Sequence, residues 1–275
     1  MKHNPIGIFD SGFGGLTVLK EITRVLPEYD FLYVGDNARA PYGNRSFEVV
    51  HAYTLDAVKW LFENGCPLIV FACNTISAKA LRTIQEIDLP RLAPNRRILG
   101  VIRPVTEWVG TLSNSGHIGV LATVGTVASR SYEIEIMKYR SDAVVTQEAC
   151  PIWTSLIENG EFDNPAADYF IRKHVDRLLA VDSLIDVVVL GCTHYPLIQD
   201  KIAAFLPPGV KLIAQGEIVA KRLVDYLDRH PEISSCCSQH GRLDFYTSER
   251  PEFFDQAASI FYGAPVQSQR WEQRS

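Results

Sequence analysis

Short apolar runs alternate along the chain with amphipathic stretches of helical period. The runs at 6–9, 31–34, 68–72, 98–102, 118–122, 143–146, 187–191, 211–214 and 243–246 have the length and composition of strands. Between the first two, Leu16, Leu19, Ile22, Val25 and Leu26 fall on one helical face, and Pro27 stops that helix. Ser46 is placed to cap a second helix, whose inward face includes Val50, Ala57 and Leu61 and which ends near Gly65. Strands separated by helices predict βαβ units: an α/β fold with mainly parallel sheets flanked by helices. Ligands of such sheets gather outside the carboxyl ends of the strands.

Two runs stop abruptly at such an end. One leads into Cys73-Asn74-Thr75 and the other into Cys192-Thr193-His194. A weaker echo joins Gly7-Ile8-Phe9-Asp10-Ser11-Gly12 to Gly119-Val120-Leu121-Ala122-Thr123-Val124. Each half thus has a strand with a polar tip and a later strand with a cysteine tip. The repetition predicts two similar α/β lobes with a site in the cleft between them. With lobes of similar size, residues 1–97 plus 209–275 form the first and 98–208 the second. The crossings then lie near Ile98 and Pro207-Pro208-Gly209.

Composition narrows the partners. The 275 residues are 47% hydrophobic and 21% charged, as in an ordinary globular protein. A net charge of -5 without a long basic block argues against nucleic acid as the main partner. No apolar run reaches the length of a membrane span. Met1-Lys2-His3-Asn4-Pro5 does not read as a signal peptide. Six cysteines without a secretory signal point to free thiols in a reducing cytoplasm.

Cys66 and Cys150 read as small buried hydrophobes. Cys73 and Cys192 are different, because polar residues follow each at a strand tip, near an expected helix N-terminus that would lower a thiol pKa. Two opposed thiols admit a redox pair, a zinc site with His194 as a further ligand, or a pair of acid–base groups. No C-x-x-C motif supports the first, and the spacing fits no recognised zinc site. Cys236-Cys237-Ser238-Gln239-His240 looks metal-like, but exposed, incidental cysteines explain it better. The acid–base reading needs one thiol from each lobe: one takes a proton from one face of a carbon, the other returns one to the opposite face. Asp10, before the turn Ser11-Gly12-Phe13-Gly14-Gly15, could orient or deprotonate Cys73, and His194 could serve Cys192. The turn-rich segment 35–44 is a candidate lip.

With these residues assembled, the chain resembles the glutamate racemases of the cofactor-independent aspartate/glutamate racemase family. The matching stretches are GIFDSGFGGLTVL, YVGDNARAPYGNRS, FACNT, IGVLATVGTVASRSY, ACPIW with IENGE, and VLGCTHYPLI, in family order from residue 7 to about 200. The resemblance implies two α/β lobes around a glutamate site, and interconversion of L- and D-glutamate without a cofactor or metal. It further implies supply of D-glutamate for peptidoglycan, a cytoplasmic location and a homodimer. It makes Cys73 and Cys192 the acid–base thiols, with Asp10 and His194 as their auxiliaries. Substrate contacts fall to Asp10, Ser11, Tyr42, Gly43, Asn74, Thr75, Thr123, Thr193 and His194, with Glu158 behind them. No Arg or Lys stands inside the thiol motifs, so backbone N–H groups and hydroxyls would hold the carboxylates. Where the family often has a glutamate before a proline, this chain has Arg103-Pro104.

Overall fold

The structure, a computed structural model, describes residues 4–272. Ten strands form two sheets among the described residues, and every pairing is parallel. They are β1 (Ile6–Asp10), β2 (Phe31–Gly35), β3 (Leu68–Phe71), β4 (Arg97–Gly100), β5 (His117–Ala122), β6 (Val144–Ala149), β7 (Val187–Gly191), β8 (Lys211–Ile213), β9 (Leu243–Thr247) and β10 (Ser268–Arg270). The first sheet runs β10-β9-β2-β1-β3-β4 and the second β6-β5-β7-β8.

The internal echo is a topological repeat. The order β2-β1-β3-β4 recurs as β6-β5-β7-β8. β1 and β3, which carry Asp10 and lead to Cys73, lie side by side at the centre of one sheet, and β5 and β7 lie side by side in the other. These central strands are buried on both faces, which is why they read as continuous apolar runs.

Two strands fall on the other side of the crossings expected from lobe size. β4, expected in the second lobe, pairs with β3, and β8, expected in the first, pairs with β7. The chain leaves the first sheet through the helix Ile102–Leu112, so the expected strand at 98–102 loses its last residues to that helix. It returns through Gly216–Arg229, which packs along the first helix, Gly15–Val25. The crossings therefore sit near Val101 and Gln215. β10, a short edge strand with a mainly exposed polar sequence, carries no apolar signal.

Local signals account for the helices that hold the site. Gly15–Val25 buries Leu16, Leu19 and Ile22. Phe47–Glu63 starts with the Val49 amide donating to the Ser46 hydroxyl, a cap worth about 1 kcal/mol. It stops before Gly65, whose φ of 87° suits glycine. No described helix is long and apolar enough to cross a membrane.

Candidate active site

The carboxyl ends of β1, β3, β5 and β7 face each other across the cleft. They enclose a cavity of about 50 Å³ whose wall includes Ser11, Cys73, Thr123, Thr154, Cys192 and His194. Tyr42, Gly43, Asn74, Thr75, Glu158 and Thr193 lie on that wall too, whereas Asp10, also expected to touch substrate, does not. One water needs roughly 10–15 Å³, so the cavity has room for only a few.

On one side, the Cys73 thiol lies 3.5 Å from the Ser11 hydroxyl and occupies the N-cap position of the short helix Asn74–Lys79. The depressed pKa expected of a thiol there is not found. Burial first, then the charge of Asp10, push it up to about 12, outweighing the hydrogen bonds from Ser11 and the Ile76 amide. Asp10 is fully buried behind the cavity wall. One of its oxygens accepts from the Gly12 amide at 2.9 Å, and the other has no hydrogen-bond partner. Burial raises its pKa against the opposing charge of His194.

On the other side, Cys192 Sγ is 3.7 Å from Nδ1 of His194 and 3.8 Å from the Thr154 hydroxyl. Nε2 of His194 is 2.8 Å from a Glu158 carboxylate oxygen. Burial works against a charged His194, but the hydrogen bonds to Cys192 and Glu158, and the charges of both, hold its pKa well above the usual histidine range. The two sides are thus unlike. One thiol sits in an acid-preserving environment next to a carboxylate. The other has the His194 imidazole 3.7 Å from its sulfur.

The remaining expected residues divide into wall and frame. The Thr75 and Thr123 hydroxyls meet across the cleft at 3.0 Å. The Gly125 amide donates to the Gly43 carbonyl at 2.9 Å, and the Lys79 ammonium donates to the Arg45 carbonyl, so the lip 41–45 is tied down on both sides. Tyr42 contributes to the wall, but its hydroxyl donates to Asp36 and faces away. The Asn74 side chain is engaged with Tyr132 and Gln215 rather than free in the cavity, leaving its backbone amide at the helix start. The Thr193 carbonyl accepts from Thr17 at 2.9 Å.

Neither Arg39 nor Arg103 lines the cavity. Arg39 pairs with Asp36 and Asp56. Arg103, at the variant position, pairs outward with Glu107 and Tyr139. The Cys236–His240 segment is dispersed: both thiols donate to carbonyls of their own turn, and His240 pairs with Asp30. Sequence reasoning missed Thr154, Tyr132 and Gln215. Thr154 lies directly after the ACPIW stretch, which was the available signal. Tyr132 closes the IGVLATVGTVASRSY stretch, and Gln215 carried no signal.

A family model described as Asp/Glu/Hydantoin racemase matches residues 6–223. A glutamate racemase of Geobacter metallireducens is 37% identical over 267 residues, covering 97% of this chain and 95% of that protein. One from Ruegeria sp. is 41% identical over 238 residues, covering 83% and 87%. A crystal structure of a glutamate racemase isoform from Bacillus anthracis superposes with a TM-score of 0.89 at 32% identity, covering 99% of this chain and 98% of that one. The Francisella tularensis glutamate racemase, solved in complex with D-glutamate, gives 0.85 at 30% identity, covering 100% and 98%. With opposed thiols between two parallel sheets and these relatives over nearly its whole length, the chain belongs to the Asp/Glu/Hydantoin racemase family, isomerases of amino acids, alongside proteins named glutamate racemases.

Proposed function

We propose that this protein interconverts L- and D-glutamate with Cys73 and Cys192 as the two acid–base groups. The observation that carries the reading is the pair of thiols delivered to one cavity by equivalent strands of two repeated sheets. Racemisation at Cα needs a base on one face and an acid on the other. A thiolate takes the α-proton, the electron pair stays on carbon beside the carboxylate, and the opposite thiol supplies a new proton. The resting protonation follows from the surroundings. Cys73, pushed up by burial and Asp10, is the readier acid, which leaves Cys192, 3.7 Å from Nδ1 of His194, to take the proton. After one inversion the states are exchanged, and the reverse reaction uses them.

The substrate carboxylates fall to backbone amides at the starts of the Asn74 and Thr193 segments and to the hydroxyls of Ser11, Thr75 and Thr123. Glu158 holds the His194 ring and its charge. Asp10, behind the wall, acts through Cys73. We read the product D-glutamate as destined for peptidoglycan, in the cytoplasm, and the protein as a homodimer that needs no cofactor.

The test is circular dichroism of L-glutamate, and separately D-glutamate, with purified protein, chelator and a reducing agent. Decay of both signals to zero is expected. A silent glutamate signal with a changing aspartate signal would keep the chemistry and overturn the substrate, and inhibition by the chelator would overturn the thiol mechanism.

A further inference from the structure

Gln215 is a glutamine 3% exposed at the second crossing between the sheets, where β8 ends and the helix Gly216–Arg229 begins. It faces the Asn74 amide head to head. Asn74 Nδ2 donates to Gln215 Oε1 at 3.0 Å, and Gln215 Nε2 donates to Asn74 Oδ1 at 2.9 Å. The same Nε2 lies 2.7 Å from the Tyr132 hydroxyl and 2.6 Å from the Leu190 carbonyl. Tyr132 in turn donates to Asn74 Oδ1 at 2.7 Å. An amide nitrogen has two hydrogens, so three acceptors around Nε2 share them and the group is held from every side.

The partners are not arbitrary. Asn74 follows Cys73 directly, and Leu190 precedes Cys192 by two residues on β7. Tyr132 belongs to the second lobe, on the helix Ser131–Tyr139. The crossing itself is pressed against the first helix: a β-carbon on Gly216 would stand 2.9 Å from Cγ of Glu21 and 3.2 Å from the Thr17 carbonyl oxygen. Thr17 also holds the Thr193 carbonyl. One side chain at the crossing therefore ties the side chain next to one thiol to the backbone just before the other, in a buried setting where loss of any member leaves polar groups without partners.

We infer that Gln215 is a positioning residue that fixes the separation of the Cys73 and Cys192 thiols across the cleft. The inference rests on the two-thiol reading above. Its signature is selective. Inversion needs both thiols correctly spaced at the same moment, whereas a reaction that uses one thiol is indifferent to the distance of the other. The L and D forms of 3-chloroglutamate provide that reaction. One thiolate removes the α-proton, the pair forms the Cα–Cβ double bond, and chloride leaves. The enamine then tautomerises and is hydrolysed by water to 2-oxoglutarate and ammonium.

The experiment compares both reactions in Gln215→Leu, Gln215→Glu and Tyr132→Phe. In Gln215→Leu, racemisation is expected to fall by about 10²-fold while elimination stays within about threefold of the parent, since an ångström of misplacement has costs of that order. Gln215→Glu keeps the acceptor for Asn74 and loses the donors, and Tyr132→Phe removes the hydroxyl's two bonds, to Asn74 and to Gln215. Both are expected to show the same selective loss, smaller in size, and they carry the test if the leucine variant does not fold. Equal losses in both reactions, or no loss in either, would overturn the positioning role. Cys73→Ser and Cys192→Ser separate the two levels of the argument. Each must abolish elimination from one epimer only, and if neither does, or if the parent enzyme eliminates neither epimer, the two-thiol reading fails and the inference with it.

Discussion

Gly14, at the foot of the first helix, meets the imidazole of His194 so closely that a β-carbon on it would stand 2.7 Å from Cε1, with Nδ1 and the Thr193 hydroxyl closer still. Its φ of -58° is ordinary for any residue, so space alone demands glycine here. Gly14→Ala is expected to displace the His194 ring from Cys192 and lower kcat by about 10²-fold. Circular-dichroism rates with glutamate check this, and a variant of parental rate would mean the lobes part freely at this contact.

In the proposed reaction the two thiols have separate duties, and single substitutions would expose them. Cys73→Ser and Cys192→Ser are each expected to cut racemisation by about 10³-fold or more, because a serine hydroxyl is a far weaker acid–base group at neutral pH. In deuterium oxide the two variants differ: each loses α-hydrogen exchange from one enantiomer much more than from the other. NMR of the α-proton for L- and D-glutamate reads this, and equal, negligible effects from both would refute the assignment.

In the proposed reaction Glu158 would set the alkaline limit through His194. The pKa of His194 is raised, so the imidazolium is fully present below the ordinary histidine pKa and disappears as pH climbs through the raised value. Glu158→Gln removes one support of that charge. The alkaline limb of the kcat/KM profile is expected to move to lower pH, with the least change on the acid side. An unmoved limb would detach Glu158 from the titration.

Stability has its own titrating anchor. Burial opposes the charge of Asp186, but the Ser113 hydroxyl and the Ser115 and Asn114 amides outweigh it and hold the carboxyl at about 2. A depressed carboxylate stabilises the fold above its unfolded pKa, about 4, and that stability is lost as pH falls through the folded value. Asp186→Asn is expected to cost about 2 kcal/mol at neutral pH, since bonds to a charged group are strong ones. Urea melts should show the cost shrinking towards pH 2, and a pH-independent difference would reject the electrostatic account.

The thiol-bearing tips were legible because both are the polar ends of fully buried strands, and a continuous apolar run that stops on Cys is visible without coordinates. The repeat was legible for the same reason. Lobe membership of β4 and β8 was not, because a strand's pairing partner is not written in its own residues. Gln215 was invisible: a single glutamine in a turn has no period, and its partners come from positions 74, 132 and 190. The Cys73 pKa was misjudged because a helix start acts in the right direction but cannot match the depth of burial, which only the packed fold reveals. Tyr42 and Asn74 line the cavity but turn their polar atoms elsewhere, since motif position does not specify which way a side chain is spent.

The cavity between the thiols holds a few waters' worth of space under the Thr75–Thr123 and Gly43–Gly125 bonds. For a glutamate held there, as proposed, parting of those bonds would widen the way out, and it would depart as whichever mirror image it is at that instant. Where proton shuttling outpaces that parting, the amino acid loses memory of its starting hand within a single visit. Solvent deuterium would then enter the recovered starting enantiomer as fast as it enters the product, and half of all visits would end with no visible change.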